Sequence, residues 1–176
     1  MATNNSVNNR LGPNNSLIMA SNGVMTLGQQ TSFLIYLVSN INNVTGNGTN
    51  YKVAFDSTFL DKNANLASSS FTADNTGIYL FNVSVSFQGN TIANAQKLEI
   101  FLVTTQKTYK GVSIDPVVHS KGSGQELLLS FSTLAPMTAT DNAAVHITVS
   151  GLAGDTVGII GGNSPFVTFF SGALLS

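Results

Sequence analysis

The sequence predicts an all-β fold, a two-sheet antiparallel sandwich of the jelly-roll kind. Residues 77–87 carry the clearest signal. Tyr79, Phe81, Val83, Val85 and Phe87 share one parity, and Asn82, Ser84 and Ser86 share the other. A repeat of two belongs to a half-buried strand, whereas a helix would scatter those aromatics around its axis. Apolar runs of strand length also recur from residue 31 to the C-terminus, parted by Gly- and Asn-bearing turns. That spacing, with no segment holding a helical period, points to a sandwich or jelly roll.

Residues 1–30 differ from the rest of the chain. They are rich in Asn, hold Gly12, Pro13, Gly23 and Gly28, and carry short apolar runs at 17–20 and 24–27 that each suit a brief strand. The segment reads as an arm that attaches the domain at 31–176 to a larger assembly, or pairs between subunits. Residues 33–38 are apolar at both parities, as in a strand covered on both faces. A Gly-rich loop at 45–50 precedes strands predicted at 51–58 and 66–72. After 77–87 come strands at 98–104, 109–114, 126–134, 144–150, 156–160 and 166–175. In 144–150, Val145, Ile147 and Val149 alternate with His146, Thr148 and Ser150. The run Gly161, Gly162, Asn163 marks the turn before the last strand. There is no internal repeat and no Gly-X-Y stalk.

Composition narrows the function. Charged residues make up 9% of the chain and the net charge is −1, against about 25% charged residues in an ordinary domain. No basic stripe exists to neutralise phosphates, which argues against nucleic acid and anionic membrane as partners. At 43% hydrophobic residues the chain has enough apolar surface to fold. The polar surface must be built of Asn, Ser, Thr and Gln, whose hydration depends on neither pH nor salt. There is no Cys, so disulfides, thiolate catalysis and Cys-based zinc sites are out. The start MATNNSVNNRLGPNNS lacks the basic and apolar regions of a signal peptide, and no run approaches the length of a membrane span. The expected location is extracellular, or on a virion or cell surface, reached after removal of a leader or by assembly and lysis.

Four segments carry a family pattern. Gly77, Ile78, Tyr79, Leu80 and Phe81 read G-x-Y-x-F; Phe170 to Leu175 read F-S-G-x-L-L; Ala54, Phe55 and Asp56 give an early v-F-D; and Gly154, Asp155, Thr156 and Val157 give a G-D-x-V turn. In that order and spacing the chain resembles the complement C1q-like and tumour-necrosis-factor-like jelly-roll family. On that resemblance Phe55, Gly77, Tyr79, Phe81, Gly154, Asp155, Phe170 and Gly172 are the motif core. Residues 112–124 make a longer loop than the family's. The resemblance implies a two-sheet jelly roll, a bell-shaped homotrimer, and recognition through the outer surface or apex without catalysis. It also implies that the first and last strands lie together near a three-fold axis. Those are the strands with apolar residues at both parities, while a sandwich buries only one face of each strand. Phe33, Ile35, Tyr36, Phe166 and Phe169 are therefore the predicted trimer interface.

Catalytic chemistry finds little to stand on. His119 lies in a loop near Asp115 and Ser120, but a Ser-His-Asp triad is a matter of geometry, not of sequence proximity. His146 alternates with core residues on a strand. No G-x-S-x-G, P-loop, H-E-x-x-H or Rossmann glycine pattern occurs. No cofactor is expected. Calcium is the one ion that the resemblance leaves open, and Asp56, Asp61, Asp74, Asp115, Asp141 and Asp155 read first as turn and cap residues. Three matches to the N-glycosylation pattern, at Asn43, Asn47 and Asn82, carry no weight in a chain so rich in Asn, Ser and Thr. The function expected is a non-enzymatic trimeric structural and binding module, a viral or phage fibre, spike or decoration head that recognises a surface receptor. A bacterial surface or spore-coat adhesin, or a secreted ligand, is the alternative. The partners expected are two further copies of the chain, a larger assembly reached through residues 1–30, and a surface glycan or glycoprotein.

Overall fold

Alternation of apolar and polar residues becomes two packed sheets in the computed structural model, which describes residues 30–89, 91–116 and 126–176 and the backbone of three short strands before them. Those strands, β1 (Arg10–Leu11), β2 (Leu17–Met19) and β3 (Met25–Thr26), pair antiparallel in a small sheet of their own. The predicted runs at 17–20 and 24–27 coincide with the last two.

The first large sheet is built on β10 (Gly77–Gln88). Along one edge of β10, β13 (Leu127–Met137) pairs from Gly77 to Phe87. Along the other edge lie β16 (Phe169–Leu174) and, beyond it, β15 (Val157–Ile159). Outward from β16 come β4 (Ser32–Tyr36) and β7 (Ser57–Lys62), and β5 (Ile41–Thr45) pairs β15. The second sheet orders β12 (Thr108–Ile114), β11 (Lys97–Thr104) and β14 (Asn142–Ser150). On the far edge of β14 sit β6 (Asn50–Lys52) and the hairpin of β9 (Ser70–Thr72) with β8 (Leu66–Ala67). Every pairing is antiparallel.

The inner faces meet in one core. The ring of Phe33 from the first sheet stacks on Phe71 from the second at 4.6 Å and meets Phe170 edge-on at 4.9 Å. Tyr79, Phe81, Val83, Val85 and Phe87 are all buried, as their shared parity predicts. At the side where β12 faces β13, the Phe131 ring lies flat on Gly111: a Cβ there would sit 2.2 Å from the ring. Only glycine permits that approach.

Two strand expectations change. The predicted strand at 51–58 is two strands in different sheets, β6 and β7. Between them the Asp56 carboxylate accepts the N–H groups of Val38 and Ser39 at 2.7 and 3.1 Å, which ties the crossing segment to the end of β4. The predicted strand at 66–72 is a hairpin, because Ser68 and Ser69 both take positive φ (49° and 59°), the backbone of a two-residue turn whose twist suits paired strands. Strand β5 is an addition, hidden in the sequence by the polar Asn42 and Asn43. The polar face of β10 is also less open than its residues suggest. Ser84 donates to the Val167 carbonyl at 2.9 Å, and the Ser86 N–H donates to Thr168 Oγ1 at 3.0 Å, so the chain leading into β16 covers both.

Candidate interaction face

Side chains of opposite parity to the core form the outer face of the first sheet, and the register sets them in rows across it. One row runs Ser57, Tyr36, Phe169, Ser84, Ser130; the next Leu60, Leu34, Ser171, Asn82, Ser132; the third Lys62, Ser32, Ala173, Leu80, Leu134. Two apolar patches result. On the β7, β4 and β16 side, Tyr36 packs against Phe166 at 4.3 Å, and Phe59 meets Phe166 edge-on at 5.7 Å. Phe59 is 70% exposed and Leu60 44%. On the β10 and β13 side, Ile78 and Leu134 are 42% and 53% exposed beside Leu80 and Pro136. Pro136 lacks a ladder donor and is tolerated because β13 is an edge strand.

Between the patches lies a polar notch, an open depression of about 380 Å³ lined by Asn82, Ser130, Ser132, Phe169 and Ser171 among others. Ser132 Oγ donates to Asn82 Oδ1 at 2.7 Å. No further side-chain partner of Asn82, Ser130 or Ser171 occurs among the described residues.

Of the predicted interface, Tyr36, Phe166 and Phe169 stand half-exposed on or beside this face. Phe33 and Ile35 do not. They are 2% and 3% exposed and point into the core, because β4 alternates like any sandwich strand and the inner parity of an apolar run is already covered. Phe59, Leu60, Ile78, Leu128 and Leu134 join the face without having been predicted. The doubled parity that singles out residues 33–38 is also present in Phe59-Leu60 and in Leu127 to Leu129.

The motif residues lie in the core and in turns. Tyr79, Phe81 and Phe170 fill the core, with Phe55 packed against it. A Cβ on Gly172 would come within 2.7 Å of the Phe33 and Phe81 rings. Gly77 opens β10 opposite Met137. Gly154 and Asp155 lie in the turn before β15, where the Asp155 carboxylate accepts from the Asn47 N–H at 3.3 Å and Thr49 Oγ1 at 2.8 Å.

The outer face of the second sheet is more polar. Glu99 takes Lys97 at 2.9 Å and Lys110 at 2.6 Å. Burial pushes its carboxyl up, but these lysines outweigh burial and hold it below the ordinary value. His146 Nδ1 lies 2.8 Å from Asn50 Oδ1. Burial, helped by Lys52, depresses its pKa, and among the described residues no carboxylate hydrogen-bonds the ring. His119 lies outside the described residues. Among the described residues no three His, Asp or Glu come together as a metal site. Asp56, Asp61, Asp141 and Asp155 instead accept backbone N–H groups in turns. No helix among these residues is long and apolar enough to cross a membrane.

No family model matches the sequence, and no curated protein matches it. Solved structures do match the fold. The globular domain of zebrafish complement 1qA protein is 14% identical with a TM-score of 0.56, covering 83% of this chain and 98% of that one. Murine APRIL at pH 5.0 is 11% identical with a TM-score of 0.54, covering 84% and 100%. A second murine APRIL structure, at pH 8.5, gives 12% and 0.51 over the same shares. The chain thus has the C1q/TNF-like jelly-roll fold.

Proposed function

We propose that this jelly roll is a non-enzymatic binding module that works as a homotrimer, the receptor-recognising head of a viral or phage fibre, spike or decoration protein. One observation carries the assembly: opposite edges of the same sheet face present different apolar patches, Phe59 with Tyr36 and Phe166 at one, Ile78 with Leu134 at the other. A patch of this kind on a lone soluble domain calls for a cover. Two unlike patches on one face suit a head-to-tail contact, which generates a ring when its rotation closes. The trimer that the sequence resemblance implies is such a ring. The side chains in the three rows carry no charge apart from Lys62, so the face suits an equally uncharged surface.

Recognition is assigned to the surfaces outside that contact. They are rich in Asn, Ser and Thr, which offer donors and acceptors without charge and suit a glycan or glycoprotein. The N-terminal arm is assigned to attachment. A secreted ligand is the second reading; what favours it is the likeness in fold to a zebrafish and a murine protein.

The test is light scattering on the full chain. The expected mass is three times the 18.4 kDa of one chain. A stable monomer at micromolar concentration would overturn the proposal. Binding to a glycan array checks the recognition half, and an array with no bound saccharide would remove the glycan assignment.

A further inference from the structure

We infer that the polar notch of Asn82, Ser130, Ser132 and Ser171 is a register lock, a hydrogen-bonding socket that a second copy of this chain must fill in one alignment only. The inference rests on the trimer proposed above.

The notch lies between the two apolar patches, so in the ring the copies seated on the two patches close over it from either side. In a lone chain, water satisfies it. Asn82 Oδ1 holds the Ser132 hydroxyl at 2.7 Å, but the Asn82 amide N–H groups and the Ser130 and Ser171 hydroxyls have no protein partner among the described residues. Covering them with apolar side chains alone would strand several polar groups, each at a cost. The covering surface must therefore bring matching donors and acceptors. A slip along the strands by one outward row, two residues, would set polar groups against Leu80 and Leu134 and apolar ones against the notch.

The occupant is a second copy for two reasons. The notch lining holds no charged residue, so it exerts no pull on an ionic ligand. It is also continuous with the two patches that call for a head-to-tail neighbour. Single buried polar residues fix register and oligomer state in coiled coils by the same logic, at some cost in stability.

Two measurements on the full chain test the lock. The chain has no Cys, so a Ser171→Cys variant carries one thiol, on the floor of the notch. It is expected to resist maleimide in the assembled protein and to label freely once diluted below the dissociation constant. In the second measurement, Asn82→Leu is expected to stay folded and assembled but to give more than one mass by light scattering. Asn82→Asp is expected to weaken assembly by at least about 100-fold, from the buried charge, with its circular dichroism unchanged.

Protection that persists in a sample shown by light scattering to be one chain would mean that something other than a second copy covers the notch, and would overturn the inference. So would free labelling in a particle of three chains, which would leave the trimer itself standing. A single, equally stable trimer from both Asn82 variants would overturn it too. A wild type that is one chain at every concentration would overturn the trimer and the lock together.

Discussion

Asp74 ties the start of the first strand of the domain to the turn before β10. Its carboxylate accepts from Thr31 Oγ1 at 2.5 Å and from Asn63 Nδ2 at 3.0 Å, and the Tyr79 hydroxyl lies 3.4 Å away. Burial pushes the Asp74 carboxyl up, but the hydrogen bonds from Thr31 and Asn63 outweigh burial and hold it below the ordinary carboxylate value. A folded-state pKa below the unfolded one stabilises the protein above the unfolded pKa, and that stability is lost as pH falls through the folded pKa. Asp74→Asn should therefore lower the melting temperature near neutral pH. The gap to wild type should begin to shrink as the pH drops below about 4, the unfolded carboxyl's value, and should close once the pH has fallen through the lower folded pKa, where Asp74 is neutral like the amide. Thermal melts across pH check this, and a gap that stays constant would rule it out. The sequence places Asp74 in a turn but holds no hint of Thr31, which is 43 residues away and meets it only through the fold.

At the scale of an element, β4 shows how one strand divides its work. Its burial alternates, Phe33 and Ile35 inward, Leu34 and Tyr36 outward. The two parities should therefore fail in different ways. Phe33→Ala removes a ring that touches Phe71 and Phe170. It should cost about 3–5 kcal/mol, a fall in melting temperature on the order of 10 °C, while the assembled mass is kept. Tyr36→Glu leaves the core intact and puts a charge on the apolar patch. It should reduce the mass toward one chain with the secondary structure unchanged. Equal loss of assembly from both variants would refute this division. Strands β10, β11 and β14 are legible in the sequence because alternation over many residues leaves one solution. The segment at 51–58 is not, because the switch between sheets is made by Asp56 holding the end of β4, a contact with no local signature.

For the whole molecule, scarcity of charge becomes a property of the assembly. Lys97 and Lys110 pair with Glu99 on the second sheet, away from the proposed contact, where Lys62 is the one charged side chain in the three rows. Screening therefore has little to act on. Assembly should be unaffected between about 0.05 and 1 M sodium chloride, a range over which the Debye length falls from roughly 14 Å to 3 Å. Light scattering at both ends measures it, and a mass that drops toward one chain at high salt would mean that ion pairs hold the copies together. Sulfate should favour the assembled form, since it strengthens apolar burial.

By itself the sequence determined the all-β class, the strands with sustained alternation, the aromatic core and the uncharged surface. Each of these is a local or compositional property: period two decides strand and face, and amino-acid content decides what water meets. Only the tertiary structure decided which parity of an apolar strand is already hidden. Phe33 and Tyr36 look alike in the sequence, yet one lies under Phe71 and the other on the open face. Burial is settled by which sheet arrives opposite, and that depends on pairings between residues far apart in the chain. The notch has the same origin, since Asn82, Ser132 and Ser171 become neighbours only when β10, β13 and β16 come into register.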